Sequence, residues 1–106
     1  IENKKPVVSL CISPTLIAKS LEGTSYKPQL TLGTTKENSE YDISEINDAI
    51  TSLGSVAHNR SIKEIFVDED LKIISAPCYM MDANVNEIYK NIKMSIDKLS
   101  EMLKYN

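Results

Sequence analysis

Residues 6–14, PVVSLCISP, decide the fold. Their first part, residues 6–10, is a short apolar run rich in β-branched side chains, which predicts a buried strand. Ser13 and Pro14 then predict the start of a helix, with Ser13 as its N-cap. Pro14 suits the first helical position because the N–H that proline lacks would have had no partner there. We expect this helix to end before Gly23.

Hydrophobic patterns elsewhere in the chain predict further strands and helices around this first unit. In chain order they are a strand over residues 29–32, a helix from Asp42 to Leu53, two strands over 65–67 and 72–75 joined by a hairpin turn, and a helix of about twenty residues from Asn84. Strands that alternate with helices predict a mainly parallel sheet with right-handed crossovers. Parallel strands need helices on both faces. With so few strands, we expect part of the covering layer to lie outside this chain.

The composition excludes several classes of function. The chain has 106 residues with 12 basic and 15 acidic side chains, a net charge of -3 and 42% hydrophobic residues. This acidic balance offers no electrostatic surface for nucleic acid or anionic lipid. No apolar run approaches the ~20 residues of a membrane span, and no signal-peptide core follows the N-terminal charges. We therefore expect a cytoplasmic protein that binds neither nucleic acid nor membrane.

Cysteine and histidine usage argues against a disulfide framework and against a metal site. The two cysteines, Cys11 and Cys78, are far apart in sequence and lack C-x-x-C spacing. The chain contains one histidine, which makes a transition-metal site improbable on composition alone. The glycines are isolated and form no loop that could cradle a phosphate. We predict that the protein uses no metal and no cofactor.

Cys11 is the first candidate for chemistry because it lies at the junction between the first strand and the first helix. Open α/β folds place their sites at this edge of the sheet. Ser9 and Ser13 are small neighbours two residues on either side, as glycines are in the G-x-S-x-G elbow. A helix N-terminus after the cysteine favours the thiolate form. The alternative is that Cys11 is a small buried residue that closes the strand, as most free cysteines are.

His58 is the candidate general base for this thiol. It lies in the segment after the second predicted helix, which we also expect at a sheet edge. Imidazole changes its protonation state near neutral pH and can therefore accept the proton of a thiol. The alternative is that His58 is a surface or hydrogen-bonded residue without a catalytic role.

Three other features have structural interpretations that we favour. The acidic run 68–70 is typical of a solvated hairpin turn, because acid/base catalysis by carboxylates needs a pocket. Cys78 and Tyr79 precede the last helix and could line a site, although packing is the simpler role. The last helix carries one apolar stripe, which we interpret as core or interface: Val85, Ile88, Tyr89, Ile92, Ile96, Leu99, Met102 and Leu103.

With these motifs in view, the sequence resembles the C-terminal half of the enhancing-lycopene-biosynthesis (isoprenoid biosynthesis) proteins. This family lies in the DJ-one/PfpI superfamily, among the class I glutamine amidotransferase-like folds. The resemblance runs nearly end to end through short segments whose order and spacing are specific. The segments are residues 5–6 leading to 11–14, 30–34, 67–80 and 96–99.

The resemblance implies a flavodoxin-like three-layer α/β sandwich, of which residues 1–106 form the C-terminal portion of a single domain. It also implies that Cys11 is the reactive nucleophile, with His58 as the only candidate for an accompanying histidine. Two further parts of the site are expected upstream of this chain: an acidic residue that hydrogen-bonds the thiol, and a glycine-rich loop that forms an oxyanion pocket. The missing N-terminal half is therefore an expected partner, together with a second copy in a homodimer.

The activity that the resemblance implies is glyoxalase III-like conversion of glyoxal or methylglyoxal to a hydroxy acid, without metal or glutathione. The first alternative is a non-catalytic redox-sensing or chaperone-like protein that acts through oxidation of Cys11. The second alternative is a dimerising scaffold in which Cys11 is buried and unreactive.

Overall fold

The computed structural model describes residues 5–104 of the chain. Within these residues the chain forms five strands, three α-helices and one short 3-10 helix. The strands are β1 (Val7–Leu10), β2 (Gln29–Gly33), β3 (Val56–Asn59), β4 (Phe66–Asp68) and β5 (Ile73–Ala76). The α-helices are α1 (Pro14–Ser20), α2 (Ile43–Ser52) and α3 (Val85–Lys104), and the 3-10 helix is Cys78–Met80. None of the helices in the described part is long and apolar enough to cross a membrane.

The strands form two small sheets. In the first, β5 lies between β1, to which it is parallel, and β4, to which it is antiparallel. In the second, β2 and β3 are parallel neighbours. The two sheets meet where the backbone N–H of Thr31 in β2 donates to Oγ of Ser75 in β5 over 2.9 Å. The predicted parallel character is confirmed by two of these three strand pairs.

Helices cover the first sheet from both sides. Residues at odd and even positions of β5 point to opposite faces. Ile73 packs in a cluster with Ala18 of α1 and Ile50 of α2, whereas Ala76 packs in a second cluster with Ile88 of α3. The arrangement is helix, sheet, helix, which confirms the predicted α/β sandwich with three layers.

The N-terminus of α1 differs from its prediction at Ser13. The predicted side-chain cap is wrong, because Ser13 has helical backbone angles and its hydroxyl makes no capping bond. The Oγ of Ser13 instead donates to the carbonyl oxygen of Leu10 over 2.7 Å and shares a hydrogen bond of 2.7 Å with Oγ of Ser9. Through these two hydrogen bonds, Ser13 links the turn between β1 and α1 to strand β1.

The predicted cap of α2 is confirmed. A carboxylate oxygen of Asp42 accepts a 3.0 Å hydrogen bond from the backbone N–H of Glu45. The helix ends before Gly54, whose φ of +96° lies in the left-handed region that favours glycine after a helix. Strand β3, which follows at once, was not predicted because its four residues show no clear alternation of apolar and polar side chains.

The interpretation of Asp68 as part of a solvated turn is wrong. Asp68 is buried, with 5% of its surface exposed. One carboxylate oxygen accepts the backbone N–H of Gln29 at 2.9 Å, and the other accepts those of Asp70 and Leu71, each at 3.1 Å. Only Glu69 and Asp70 are exposed in this turn. The Asp68 side chain thus joins the hairpin to the start of β2.

The predicted apolar stripe of α3 is only partly buried. Ile88 is in the core, but Val85 is 77% and Leu103 is 58% exposed, and Tyr89 and Ile96 are exposed as well. The fully buried positions of the helix include the polar residues Asn91 and Ser95. The helix is therefore rotated relative to the prediction, so that a polar pair faces the sheet and part of the apolar stripe faces outward.

Candidate functional site

Cys11 lies at the sharp turn between β1 and α1, as the sequence predicted. Its backbone N–H donates to the carbonyl oxygen of Ala76 over 3.1 Å, which extends the β1 and β5 ladder by one residue. The φ of Cys11 is +57°, in the left-handed region that residues other than glycine rarely adopt. Such strained positions are concentrated at functional sites. Cys11 is partly exposed.

Cys78 follows β5 and lies beside Cys11. Its φ is +48°, so both cysteines leave their strands through the same unusual backbone conformation. Cys11 packs against the buried cluster of which Cys78 is a member, so the two side chains are neighbours. Cys78 is buried in the cluster that contains Ala76 and Ile88. The structure therefore brings together two sulfur atoms that lie 67 positions apart in the sequence.

The environment of Cys78 determines the protonation state of its thiol. Burial, followed by the neighbouring Cys11 charge, raises the pKa of Cys78 to about 12. Cys78 is consequently a protonated thiol at neutral pH, and its S–H can act as a hydrogen-bond donor. The thiol next to it is that of Cys11.

A buried asparagine holds Cys78 in place. Oδ1 of Asn91 accepts the backbone N–H of Cys78 over 2.8 Å, and its Nδ2 donates to the carbonyl oxygen of Glu64 over 2.8 Å. Asn91 is completely buried. Sequence analysis missed this residue because an isolated asparagine in a helix has no pattern that distinguishes it from a surface residue. The clamp joins α3 to the carboxyl end of β5.

The backbone after Cys11 offers one further polar group. Within the described residues, the N–H of Ile12 donates no hydrogen bond, whereas those of Cys11, Ser13 and Thr15 do. In strand-turn-helix elbows the N–H that follows the nucleophile binds the negative oxygen of the tetrahedral intermediate. Ile12 is therefore a candidate donor at the site, although the sequence pattern gave no reason to single it out.

His58 lies in β3, at the second sheet, and its described contacts do not include Cys11. Its Nε2 shares a hydrogen bond of 2.9 Å with Oε1 of Gln29, and its ring stacks on Phe66 with 4.0 Å between centroids. Burial, and to a smaller extent the Arg60 charge, lower the pKa of His58 from its usual value, against an opposing effect of Asp68. His58 is thus a neutral ring at neutral pH in a structural setting. The structure does not bring it together with Cys11.

Metal binding has no support in the described part of the chain. Residues 5–104 contain no cluster of three or more histidine, cysteine, aspartate or glutamate side chains that could hold a metal ion.

The chain is similar to two curated mammalian proteins. It is 26% identical to the rat "ES1 protein homolog, mitochondrial" over 100 residues, which cover 93% of this chain and 36% of that protein. It is 27% identical to the human "Glutamine amidotransferase-like class 1 domain-containing protein 3, mitochondrial" over 99 residues, which cover 92% of this chain and 35% of that protein. The chain thus spans about a third of the length of these relatives. No family profile matches it.

The fold is that of a solved bacterial protein. The chain superimposes with a TM-score of 0.80 and 24% identity on an isoprenoid biosynthesis protein with amidotransferase-like domain from Ehrlichia chaffeensis. The match covers 96% of this chain and 43% of that protein. The resemblance predicted from the sequence is confirmed by these three proteins, and the fold class is confirmed by the third.

Proposed function

We propose that Cys11 is the nucleophile of a site that converts small reactive aldehydes, such as glyoxal and methylglyoxal, to hydroxy acids. The observation that carries this proposal is the left-handed backbone at Cys11, +57° in φ, on a partly exposed cysteine between a strand and a helix. The similarity to class I glutamine amidotransferase-like proteins supports it, because the resemblance implies a nucleophilic cysteine at this elbow.

The proposed reaction begins when the Cys11 thiolate attacks the aldehyde carbon. The electron pair of the C=O bond moves to oxygen, and protonation of that oxygen gives a hemithioacetal. The proton on the former aldehyde carbon then moves to the adjacent carbonyl carbon through an enediol, which leaves a hydroxy thioester on Cys11. Water cleaves the thioester, so that a hydroxy acid departs and the thiol is regenerated. No oxidant, reductant or metal takes part.

Two groups beside Cys11 can stabilise the negative charges that form in this reaction. The N–H of Ile12 can donate to the oxygen that becomes negative when the thiolate adds. The S–H of Cys78 can donate to the Cys11 thiolate before the attack. We further propose that an acidic residue and a glycine-rich loop from outside these 106 residues complete the site, as the resemblance implies.

His58 has no role in this proposal. Its partners are Gln29 and Phe66, and a base for the thiol has to lie within hydrogen-bonding reach of it. The compartment and the homodimer that the sequence predicted stay predictions. The names of the two mammalian relatives place those proteins in mitochondria.

Loss of the Cys11 thiol should abolish aldehyde turnover by the full-length protein, which includes the acidic residue and the glycine-rich loop that we propose outside these 106 residues. We expect Cys11→Ala to lower the rate of lactate formation from methylglyoxal by a factor of about a thousand or more, since the covalent route is lost. The assay is run under reducing conditions and follows substrate and hydroxy acid separately. The control is Ser100→Ala, a substitution at an exposed position of α3. This variant should convert methylglyoxal at the wild-type rate. Equal activity in wild type and Cys11→Ala, or no turnover of either aldehyde by the wild type, would contradict the proposal.

A further inference from the structure

The carboxyl ends of β1 and β5 place the two cysteines next to one another in the fold. In the parallel register Leu10 lies opposite Ala76, and neighbouring strands are about 4.8 Å apart. Cys11 is the next residue after Leu10, and Cys78 is the second residue after Ala76. Disulfides join residues whose Cα atoms are usually about 4.4 to 6.8 Å apart. Cys11 also packs against the buried cluster that contains Cys78, as this register requires.

Backbone hydrogen bonds hold both cysteines at this edge of the sheet. Cys11 is tied to β5 through its N–H and the carbonyl oxygen of Ala76, and Cys78 is tied to α3 through Oδ1 of Asn91. Each cysteine has a φ in the left-handed region, which turns its side chain away from the strand direction. The pair is therefore fixed by the fold and does not need a loop to close.

The exposure of the two cysteines differs in a way that suits oxidation in two steps. Cys11 is partly exposed, so a small peroxide can reach it, whereas Cys78 is buried and shielded. In peroxide-reactive proteins the accessible thiolate is oxidised first, and a second cysteine close by resolves the product. A buried protonated thiol beside the accessible one meets the requirement for that second role.

We propose that Cys11 and Cys78 form a reversible peroxide-dependent disulfide that switches the Cys11 site off. The proposal shares the nucleophile with the aldehyde reaction, but it does not require that aldehydes turn over. It concerns the state of the two sulfur atoms and names hydroperoxides as the oxidant.

The chemistry balances with one peroxide per disulfide. The Cys11 thiolate attacks one oxygen of the O–O bond, which breaks; the other oxygen leaves and takes a proton, so the product is a sulfenic acid together with water or an alcohol. The Cys78 sulfur then attacks the Cys11 sulfur. The S–O bond breaks, and the leaving hydroxide takes the Cys78 proton and departs as water. Two thiols and a hydroperoxide thus give a disulfide, an alcohol or water, and a further water.

Oxidation of Cys11 itself prepares the second step. Burial is the main cause that keeps the Cys78 thiol protonated, and the negative charge of Cys11 adds to it. A sulfenic acid is neutral, so the effect of this charge disappears once Cys11 is oxidised, and Cys78 gives up its proton more easily. The order of events therefore follows from the environment of the two thiols.

The test treats the full chain with equimolar hydrogen peroxide and measures intact mass and non-reduced peptide maps. We expect a mass loss of two hydrogen atoms, a peptide pair linked through Cys11 and Cys78, and recovery of both thiols with dithiothreitol. Dimedone, which traps sulfenic acid, should label Cys11 only weakly. In Cys78→Ala and Cys78→Ser the same treatment should give strong dimedone labelling of Cys11 and, with more peroxide, sulfinic acid.

Three results would overturn the proposal. One is a wild type in which Cys11 accumulates as sulfenic or sulfinic acid while Cys78 stays reduced. Another is a disulfide between two chains instead of within one. The third is a wild type whose cysteines both resist the peroxide. Turnover of methylglyoxal by the reduced protein is measured separately, so failure of the aldehyde reaction and failure of the disulfide are distinguished. If both hold, oxidation should abolish turnover and dithiothreitol should restore it.

Discussion

Replacement of Asp68 by alanine should lower the free energy of unfolding by about 4 kcal/mol. The carboxylate is buried and accepts three backbone hydrogen bonds, from Gln29, Asp70 and Leu71. The substitution leaves these donors without their acceptor and removes the link between the hairpin and β2. One substitution removes all three hydrogen bonds of a buried carboxylate at once, which is why the expected loss is large. Urea unfolding of the full chain, followed by circular dichroism, measures it.

Two variants at the same turn serve as controls for Asp68. Glu69→Ala removes an exposed carboxylate from the same turn and should change the free energy of unfolding by less than about 0.5 kcal/mol. Asp68→Asn keeps one acceptor oxygen. Its loss in free energy of unfolding should therefore lie between those of Asp68→Ala and Glu69→Ala. If Asp68→Ala were as stable as Glu69→Ala, the buried position of the carboxylate would be contradicted.

Replacement of Asn91 by leucine should cost about 3 kcal/mol, although leucine has a similar size and is more apolar. The substitution leaves the buried N–H of Cys78 without its acceptor and removes the donor to the carbonyl oxygen of Glu64. It should also make the position of Cys78 less fixed. In the folded part of the sample, peroxide should therefore form the disulfide more slowly than in the wild type. Denaturant unfolding and the mass assay report these two effects separately.

Asn86→Leu is the matched control for Asn91. It makes the same substitution on the same helix at an exposed position, and we expect a change of less than about 0.5 kcal/mol. Equal stability of the two leucine variants would show that Asn91 is not a buried clamp.

Local patterns predicted the elements that depend on neighbouring residues. The apolar run before Cys11, the Asp42 and Glu45 pair that starts α2, and the spacing of apolar residues in α3 all act within one or two turns of chain. Because these patterns involve only residues close in sequence, they can be interpreted without knowledge of the rest of the fold. They placed β1, α2 and α3 close to their observed bounds.

The features that could not be predicted depend on contacts between distant parts of the chain. Strand β3 exists because β2 pairs with it, and Asp68 is buried because the start of β2 supplies an N–H 39 positions away. The rotation of α3 follows from Asn91, whose partners lie in other elements. Propensity and periodicity carry no information about such pairings.

The candidate site also combines a feature that local sequence predicts with one that depends on distant contacts. The junction of strand and helix pointed to Cys11 from the sequence alone, and the structure adds the left-handed backbone that the junction requires. The sequence offered His58 as the partner of the thiol, whereas the fold places Cys78 next to Cys11 and packs His58 against Gln29 and Phe66. Only the parallel pairing of β1 with β5 brings the two cysteines together.

The central claim is that Cys11 and Cys78 form one site in which Cys11 reacts and Cys78 donates. The most direct measurement is the rate at which iodoacetamide alkylates each cysteine in the folded full chain at neutral pH, read by peptide mapping. Cys11 should react about tenfold faster than Cys78 or more. The Cys11 rate should fall several-fold in Cys78→Ala and recover in Cys78→Ser, which keeps a hydroxyl donor. Equal rates at the two cysteines, or a Cys11 rate that does not change in Cys78→Ala, would contradict the claim.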